Sequence, residues 1–78
     1  MAAYIQTPPI EYDHAFKGPS YIEYMSLEKL QELCGGPVYA CSYIGGLNGR
    51  CIMYLSKLPG QQKQLERHER AHCNGWRH

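Results

Sequence analysis

The chain lacks any long hydrophobic run. No stretch of its 78 residues approaches the roughly 20 apolar residues of a membrane-spanning helix. The chain also lacks an excess of charge of either sign. Its eight Lys and Arg nearly balance its seven Asp and Glu, for a formal net charge of +1. Phosphate binding needs a strong basic excess, so nucleic acid is not an expected partner. The first residues have neither a basic segment nor a long apolar one, which predicts a soluble chain without an export signal.

Hydrophobic residues are nevertheless plentiful for so short a chain. They make up 44% of it, seven residues are Tyr, and only 19% are charged. A composition this apolar excludes an intrinsically disordered chain. The length fits one domain, whose single core supplies only a few kcal/mol of net stability. We therefore expect cross-links or a metal ion to stabilise it.

Local signals divide the first half of the chain into an arm, a strand and a helix. Residues 1–20, in which Pro and Gly alternate with aromatic and aliphatic side chains, predict an extended arm. Residues 21–25 are a short β-prone run. Ser26 is an N-cap for a helix over residues 27–34, whose leucines recur at helical spacing and predict one buried stripe.

The second half predicts a hairpin and a second helix. Over residues 38–56, two β-prone runs flank a turn at residues 45–49, which contains residues that tolerate positive φ. Residues 61–74 contain no Gly or Pro and consist largely of helix formers. The expected fold is α+β, a small antiparallel sheet with two helices packed on it, in a single domain over residues 1–78.

Four cysteines are candidates for cross-links: Cys34, Cys41, Cys51 and Cys73. An even number in a very short chain is typical of a disulfide framework and of an exported protein, periplasmic or secreted. Three pairings are possible. If the hairpin turn is centred on Gly46, Cys41 faces Cys51, which leaves Cys34 to pair with Cys73.

The last eleven residues are the most informative, because they fit the pattern H-E-x-x-H-x-x-G-x-x-H. On a helix, His68 and His72 lie one turn apart on one face, so their imidazoles can converge on one cation. Glu69 is turned about 100° from His68, which places its carboxylate beside the metal, where it can hold a water molecule. Gly75 can adopt positive φ and turn the chain back, so that His78 becomes the third ligand.

This string resembles the zinc-binding consensus of the metzincin clan of metallopeptidases. Its H-E-x-x-H-C-N-G-W part is also similar to the ends of short, uncharacterised bacterial proteins. The metzincin resemblance implies that Zn²⁺ is the cofactor, that Glu69 is the general base, and that a peptide or protein is hydrolysed. The implied ligands are His68, His72 and His78. Metzincins also have a methionine turn after the third His, which is absent here, so a methionine floor would come from Met25 or Met53.

Three alternatives remain open at the level of sequence. A closed zinc site, structural and without room for water, can be formed from Cys41, Cys51, His68 and His72. A solvated helix with i to i+4 ion pairs needs no metal, which leaves a non-catalytic, disulfide-stabilised interaction module. His14 can replace His78 as the third ligand, since terminal residues fray.

The substrate surface is the last expectation. In zincins an extended substrate commonly pairs with an edge strand beside the motif helix, and here residues 50–56 are the candidate. The same edge can equally bind a partner protein. A chain this short has little material for a deep cleft, so a larger protein assembly is a further candidate partner.

Overall fold

The computed structural model describes residues 4–46 and 48–78. Its elements are β1 (Ser20–Met25), α1 (Leu27–Cys34), β2 (Ala40–Gly45), β3 (Arg50–Ser56) and α2 (Gln62–Cys73). The α+β class is confirmed. Residues 1–3 of the expected arm and Leu47 of the expected turn lie outside the described residues. No helix within the described ranges has the length and apolar character needed to cross a membrane.

The first helix begins and ends where its sequence predicts. The Ser26 side chain accepts a hydrogen bond from the backbone N–H three residues later, at 3.3 Å. Gly35 closes the helix in the left-handed conformation, with φ of +81°. Leu30 is fully buried, whereas Leu27 and Leu33 are 40% and 49% exposed. The predicted apolar stripe is therefore only partly buried, and α1 contributes chiefly Leu30 to the interior.

The sheet has the strand order β1-β3-β2, which makes β3 the central strand. β2 and β3 form the expected antiparallel hairpin, but β1 pairs with β3 in parallel, so the sheet is mixed. A parallel pair needs a crossover connection, and α1 together with β2 supplies it. The expectation that residues 50–56 form an edge strand is wrong. The edge strand next to α2 is β2.

The composition of β3 explains its central position. Cys51, Met53 and Leu55 alternate along the strand, point toward α2 and are at most 1% exposed. Such side chains stabilise the fold most where neighbouring strands and a helix cover them. The same core contains buried residues of β2 and α2: Ala40, Leu65 and Cys73.

Two disulfides cross-link the domain, Cys34–Cys41 and Cys51–Cys73. The expected pairs, Cys41 with Cys51 and Cys34 with Cys73, are wrong. The first observed bond ties α1 to β2, and the second ties the central strand to the last residue of α2. Two disulfides in so short a chain are compatible with an exported protein.

The register of the hairpin accounts for this difference. Cys41 lies opposite Tyr54, and Cys51 lies opposite Ile44. Each cysteine is therefore three positions away from facing the other. Because three is odd and successive side chains alternate between faces, Cys51 points toward α2 and Cys41 toward the opposite face. A disulfide between them would require a different register.

The two disulfides are expected to contribute unequally to stability. Their sequence separations are 22 residues for Cys51–Cys73 and 7 for Cys34–Cys41. In the chain-entropy model these loops correspond to about 3 and about 2 kcal/mol. Replacing both cysteines of the longer loop by alanine should therefore lower the free energy of unfolding by about 1 kcal/mol more than the same change in the shorter loop. Urea unfolding of the two double variants measures this, and an equal or reversed order would contradict it.

Candidate metal centre

α2 ends in a Schellman motif that turns the chain back. Gly75 has φ of +106°, and its N–H donates to the carbonyl of His72 at 3.0 Å. The N–H of Trp76 donates to the carbonyl five residues earlier, at 3.1 Å. A side chain with a Cβ is strained at this φ, so glycine is the residue that permits the turn. The turn returns His78 to the face of α2 that bears His68.

Three imidazoles converge at this place, and we call them the three-His cluster: His68, His72 and His78. The Nε2 atom of His72 lies 3.1 Å from the Nε2 atoms of both His68 and His78, and these two are 3.3 Å apart. Tetrahedral ligands at about 2.0–2.1 Å from zinc are about 3.3–3.4 Å from one another. The triangle therefore has nearly the size that a metal ion requires.

Hydrogen bonds to the backbone fix which ring nitrogen faces the centre. Nδ1 of His68 donates to the carbonyl of Gln6 at 2.9 Å, and Nδ1 of His72 donates to the carbonyl of Trp76 at 2.7 Å. A carbonyl only accepts, so in the neutral rings both Nε2 atoms present a lone pair to the centre. Lone pairs this close repel one another unless a cation lies between them. Carbonyl partners of this kind also orient the imidazoles of metal sites.

A proton is the simplest cation that could occupy the cluster, and the surroundings of His68 disfavour it. Burial is the largest effect and lowers the pKa of His68 below its ordinary value, while the bond to the Gln6 carbonyl raises it. The neighbouring His72 and His78 lower it further. His68 is therefore held in the neutral form, which is the form that binds metal.

Trp76 lies against the cluster, a role that the sequence analysis missed. Its side chain is 6% exposed, and its ring stacks on His72 with centroids 4.9 Å apart and planes 11° apart. It also lies 4.8 Å from each of the other two imidazoles. Neither Met25 nor Met53, the candidates for a methionine floor, lines this site. The sequence signal for the role of Trp76 was an aromatic residue two positions before the third His.

The N-terminal arm holds α2 in place from outside. Asp13 forms an ion pair with Arg67, in which the Nε to Oδ1 distance is 2.8 Å. The Asn74 side chain donates to the carbonyls of Tyr12, at 2.9 Å, and of His14, at 2.6 Å. The imidazole of His14 is exposed and does not belong to the three-His cluster. The structure thus brings His78, and not His14, to the other two histidines.

Glu69 is a buried carboxyl group next to the cluster. Only 4% of the residue is exposed, and it lines the same groove as Ser42 and the three imidazoles. Burial raises the pKa of Glu69 to about 7, against a smaller lowering effect of the nearby Ser42 hydroxyl group. The Glu69 carboxylate is not part of the group of converging candidate ligands, which consists of the three imidazoles. A carboxyl group with this pKa can accept and release a proton at neutral pH.

A groove with a cavity volume of about 820 Å³ lies over these residues. This volume falls within the range of ligand-binding sites, larger than so short a chain led us to expect. The groove is lined by arm residues 4–6, by residues 37–44, which include most of β2, and by side chains of α2 and the chain end. The three-His cluster and Glu69 are both part of this lining.

The alternative Cys2His2 site is not formed. Cys41 and Cys51 are bound in separate disulfides, and only a free thiolate ligates zinc. Their side chains also point to opposite faces of the sheet, so they cannot reach one ion together.

No protein-family model matches the chain, and neither a curated protein nor a solved structure matches it significantly. What the site can do therefore follows from its own geometry: three imidazoles that could bind a metal ion, and a buried carboxyl group that lines the same groove.

Proposed function

We propose that this chain is a small zinc-dependent metallopeptidase, with the three-His cluster as the metal ligands and Glu69 as the general base. The observation that supports it most strongly is the triangle of Nε2 atoms, with sides of 3.1 to 3.3 Å. Structural zinc sites are almost always closed by four protein ligands, whereas three leave a position for water or substrate. Three is also the number that the cluster supplies.

The proposed chemistry divides between the ion and the protein. Zinc, when bound, supplies a Lewis acid that activates water at neutral pH and polarises a carbonyl oxygen. Glu69 takes the proton of the attacking water and delivers it to the leaving amine nitrogen. The carbonyls of Gln6 and Trp76 hold two of the imidazoles in the orientation that binding needs.

The outer edge of β2, with which no other described strand pairs, is the proposed surface for an extended peptide. The N–H of Ser56 donates to the carbonyl of Tyr39 at 3.0 Å, which sets the alternation along the antiparallel pair. Every second residue of β2 therefore directs its backbone N–H and C=O away from β3: Ala40, Ser42 and Ile44. A peptide that pairs with these groups by β-augmentation lies along the groove. Unfolded or extended polypeptide segments are thus the proposed substrates.

A non-catalytic interaction module, docked on a larger protein assembly, is the second candidate. It is favoured by aromatic side chains on the sheet face away from α2. Tyr21 is 50% exposed and Tyr43 is 49% exposed, and the Tyr43 ring lies 6.1 Å from that of Tyr54 in an edge-to-face contact. In such a module Glu69 would have no function. It would only lower the free energy of unfolding at neutral pH, because its pKa is raised by burial.

The test measures zinc content and peptide cleavage in the same samples. Wild-type protein with intact disulfides, supplied with zinc, should hold near one zinc per chain and cleave peptides of an internally quenched fluorescent library. His72→Ala should lose both properties, because two ligands remain. His14→Ala is the matched control, a histidine outside the cluster, and should keep both.

Two outcomes would contradict the proposal in different ways. Zinc binding without cleavage of any peptide would favour the interaction module over the peptidase. Failure of the folded wild-type protein to bind zinc would exclude the metal centre itself, and with it the peptidase.

A further inference from the structure

We infer that Trp76 is a positioning residue of the metal centre: its indole ring holds the imidazoles of the three-His cluster in the triangle that an ion needs. The inference rests on the metal-binding half of the proposed function, and it needs neither Glu69 nor peptide cleavage. The indole forms no bond to the ion. Its contacts with the ligands set the affinity for zinc.

The indole contacts all three imidazoles at almost equal distances. Its centroid lies 4.9 Å from that of His72 and 4.8 Å from those of His68 and His78, within the contact range of aromatic pairs. The three imidazole centroids are themselves 4.7 to 5.2 Å apart. Four points with such similar separations form a nearly regular tetrahedron. The indole therefore lies over the middle of the triangle that the three imidazoles form.

Two of the three ligands depend on Trp76 for their orientation. The indole stacks on the face of His72, with 11° between the planes, and the Trp76 carbonyl accepts a hydrogen bond from Nδ1 of the same ring at 2.7 Å. One residue thus holds His72 by face and edge. The ring nitrogens of His78 contact only the other two imidazoles within the described residues. The indole, tilted by 52° to His78, therefore orients this ring in place of a hydrogen bond.

Trp76 can act in this way because the turn after α2 fixes it. Its N–H donates to the carbonyl of Ala71 at 3.1 Å, and only 6% of the residue is exposed. An imidazole that binds a metal ion takes on part of the positive charge, and the face of an indole attracts cations. The contact with His72 is therefore stronger in the zinc-loaded protein than in the metal-free protein. That difference raises the affinity for zinc, which a side chain that only fills the core does not do.

The experiment measures the Kd for zinc of the folded variants by competition with a chromogenic chelator. Trp76→Leu removes the aromatic ring and keeps the backbone carbonyl, so a change in Kd reports the ring alone. The Kd should rise by about 10- to 100-fold, as for other groups that orient metal ligands. Trp76→Phe keeps a ring that can stack and should recover most of the lost affinity. Leu30→Val, at a fully buried position of α1 outside the groove, is the matched control. It should lower stability and leave the Kd within about twofold.

Tryptophan fluorescence provides a second measurement, which leaves Trp76 unchanged. Trp76 is the only tryptophan of the chain, so selectively excited tryptophan emission reports this residue alone. Zinc should change the emission with the same midpoint as the chelator competition, in wild type and in His14→Ala but not in His72→Ala. This titration decides the inference if Trp76→Leu does not fold.

The outcomes separate this inference from the proposed function. Equal Kd values for wild type and Trp76→Leu would overturn the role of Trp76 and leave the metal centre standing. A loss of affinity that Trp76→Phe does not recover would also overturn it, because the ring would then not be the cause. So would zinc binding that leaves the emission unchanged. The expected changes in affinity without any peptide cleavage would support the inference and overturn only the peptidase. Failure of the wild-type protein to bind zinc would overturn both.

Discussion

Glu69→Gln should lower kcat/KM for peptide cleavage by about 100- to 10,000-fold, the usual contribution of a general base, with zinc content unchanged. The same substitution should stabilise the metal-free protein by about 3 kcal/mol at about pH 8. Glutamine keeps the shape of the side chain but cannot take the proton of the attacking water. One substitution thus removes activity and gains stability, which is the trade-off expected where function requires a destabilising group.

The stability gain follows from the pKa of Glu69, which is raised from 4.5 to about 7 in the folded protein. Below pH 4.5 the carboxyl group is protonated in both the folded and the unfolded state, and its titration does not change the free energy of unfolding. Between 4.5 and about 7 the folded state binds more protons than the unfolded state, so stability falls as the pH rises. Above about pH 7 this loss of stability is complete. One pKa unit corresponds to about 1.4 kcal/mol, which gives the total of about 3 kcal/mol.

Urea unfolding of metal-free wild type and Glu69→Gln at about pH 4 and about pH 8 measures this difference. The control is Glu32→Gln, which changes an exposed carboxyl group of α1 and should alter stability by less than about 0.5 kcal/mol at both pH values. A Glu69→Gln protein that is less stable than wild type at the higher pH would refute the stability prediction. So would a gain that is equally large at both values.

Features with local signals in the sequence were predictable. The Ser26 cap and the Gly35 stop define α1, and the pattern over the last eleven residues identifies the histidines that the fold brings together. These features depend on residues within a few positions of one another. The sequence therefore contains the information that sets them.

Features that depend on pairing between distant segments were not predictable in the same way. The glycine-rich turn permits several registers, and a shift by an odd number of positions would put Cys41 and Cys51 on the same face of the sheet. Nothing local to β1 specifies that it pairs in parallel, beside β3. The burial of Glu69 depends in turn on β2 lying next to α2. The site residues could be named from the sequence, but the groove wall around them could not.

Zinc should raise the free energy of unfolding by about 4 kcal/mol when free zinc is about 1,000 times Kd. The ion binds the folded protein, in which three Nε2 atoms already converge, and binds the unfolded chain far less well. In the metal-free protein the Nε2 lone pairs of neutral His68 and His72 face each other at 3.1 Å, so the ion also relieves a repulsion. Urea unfolding with and without zinc at about pH 7.5 measures the gain.

Acid should remove this gain, because the cluster binds metal only as neutral imidazoles. The pKa of His68 is lowered from 6.5 in the folded protein, so just below 6.5 the unfolded state binds more protons than the folded state. Stability from this residue is therefore full above 6.5 and falls as the pH drops toward the lowered value. Proton competition for the three imidazoles acts in the same direction, so the zinc effect should be small at about pH 5.

His78→Ala decides whether the third histidine belongs to the site. If His78 is a ligand, this variant should lose most of the zinc-dependent stabilisation, and His14→Ala should keep all of it. An undiminished zinc effect in His78→Ala would mean that the ion is held by His68 and His72 with another donor. Such a site would have lost the triangle on which the peptidase proposal rests, even if it still bound zinc.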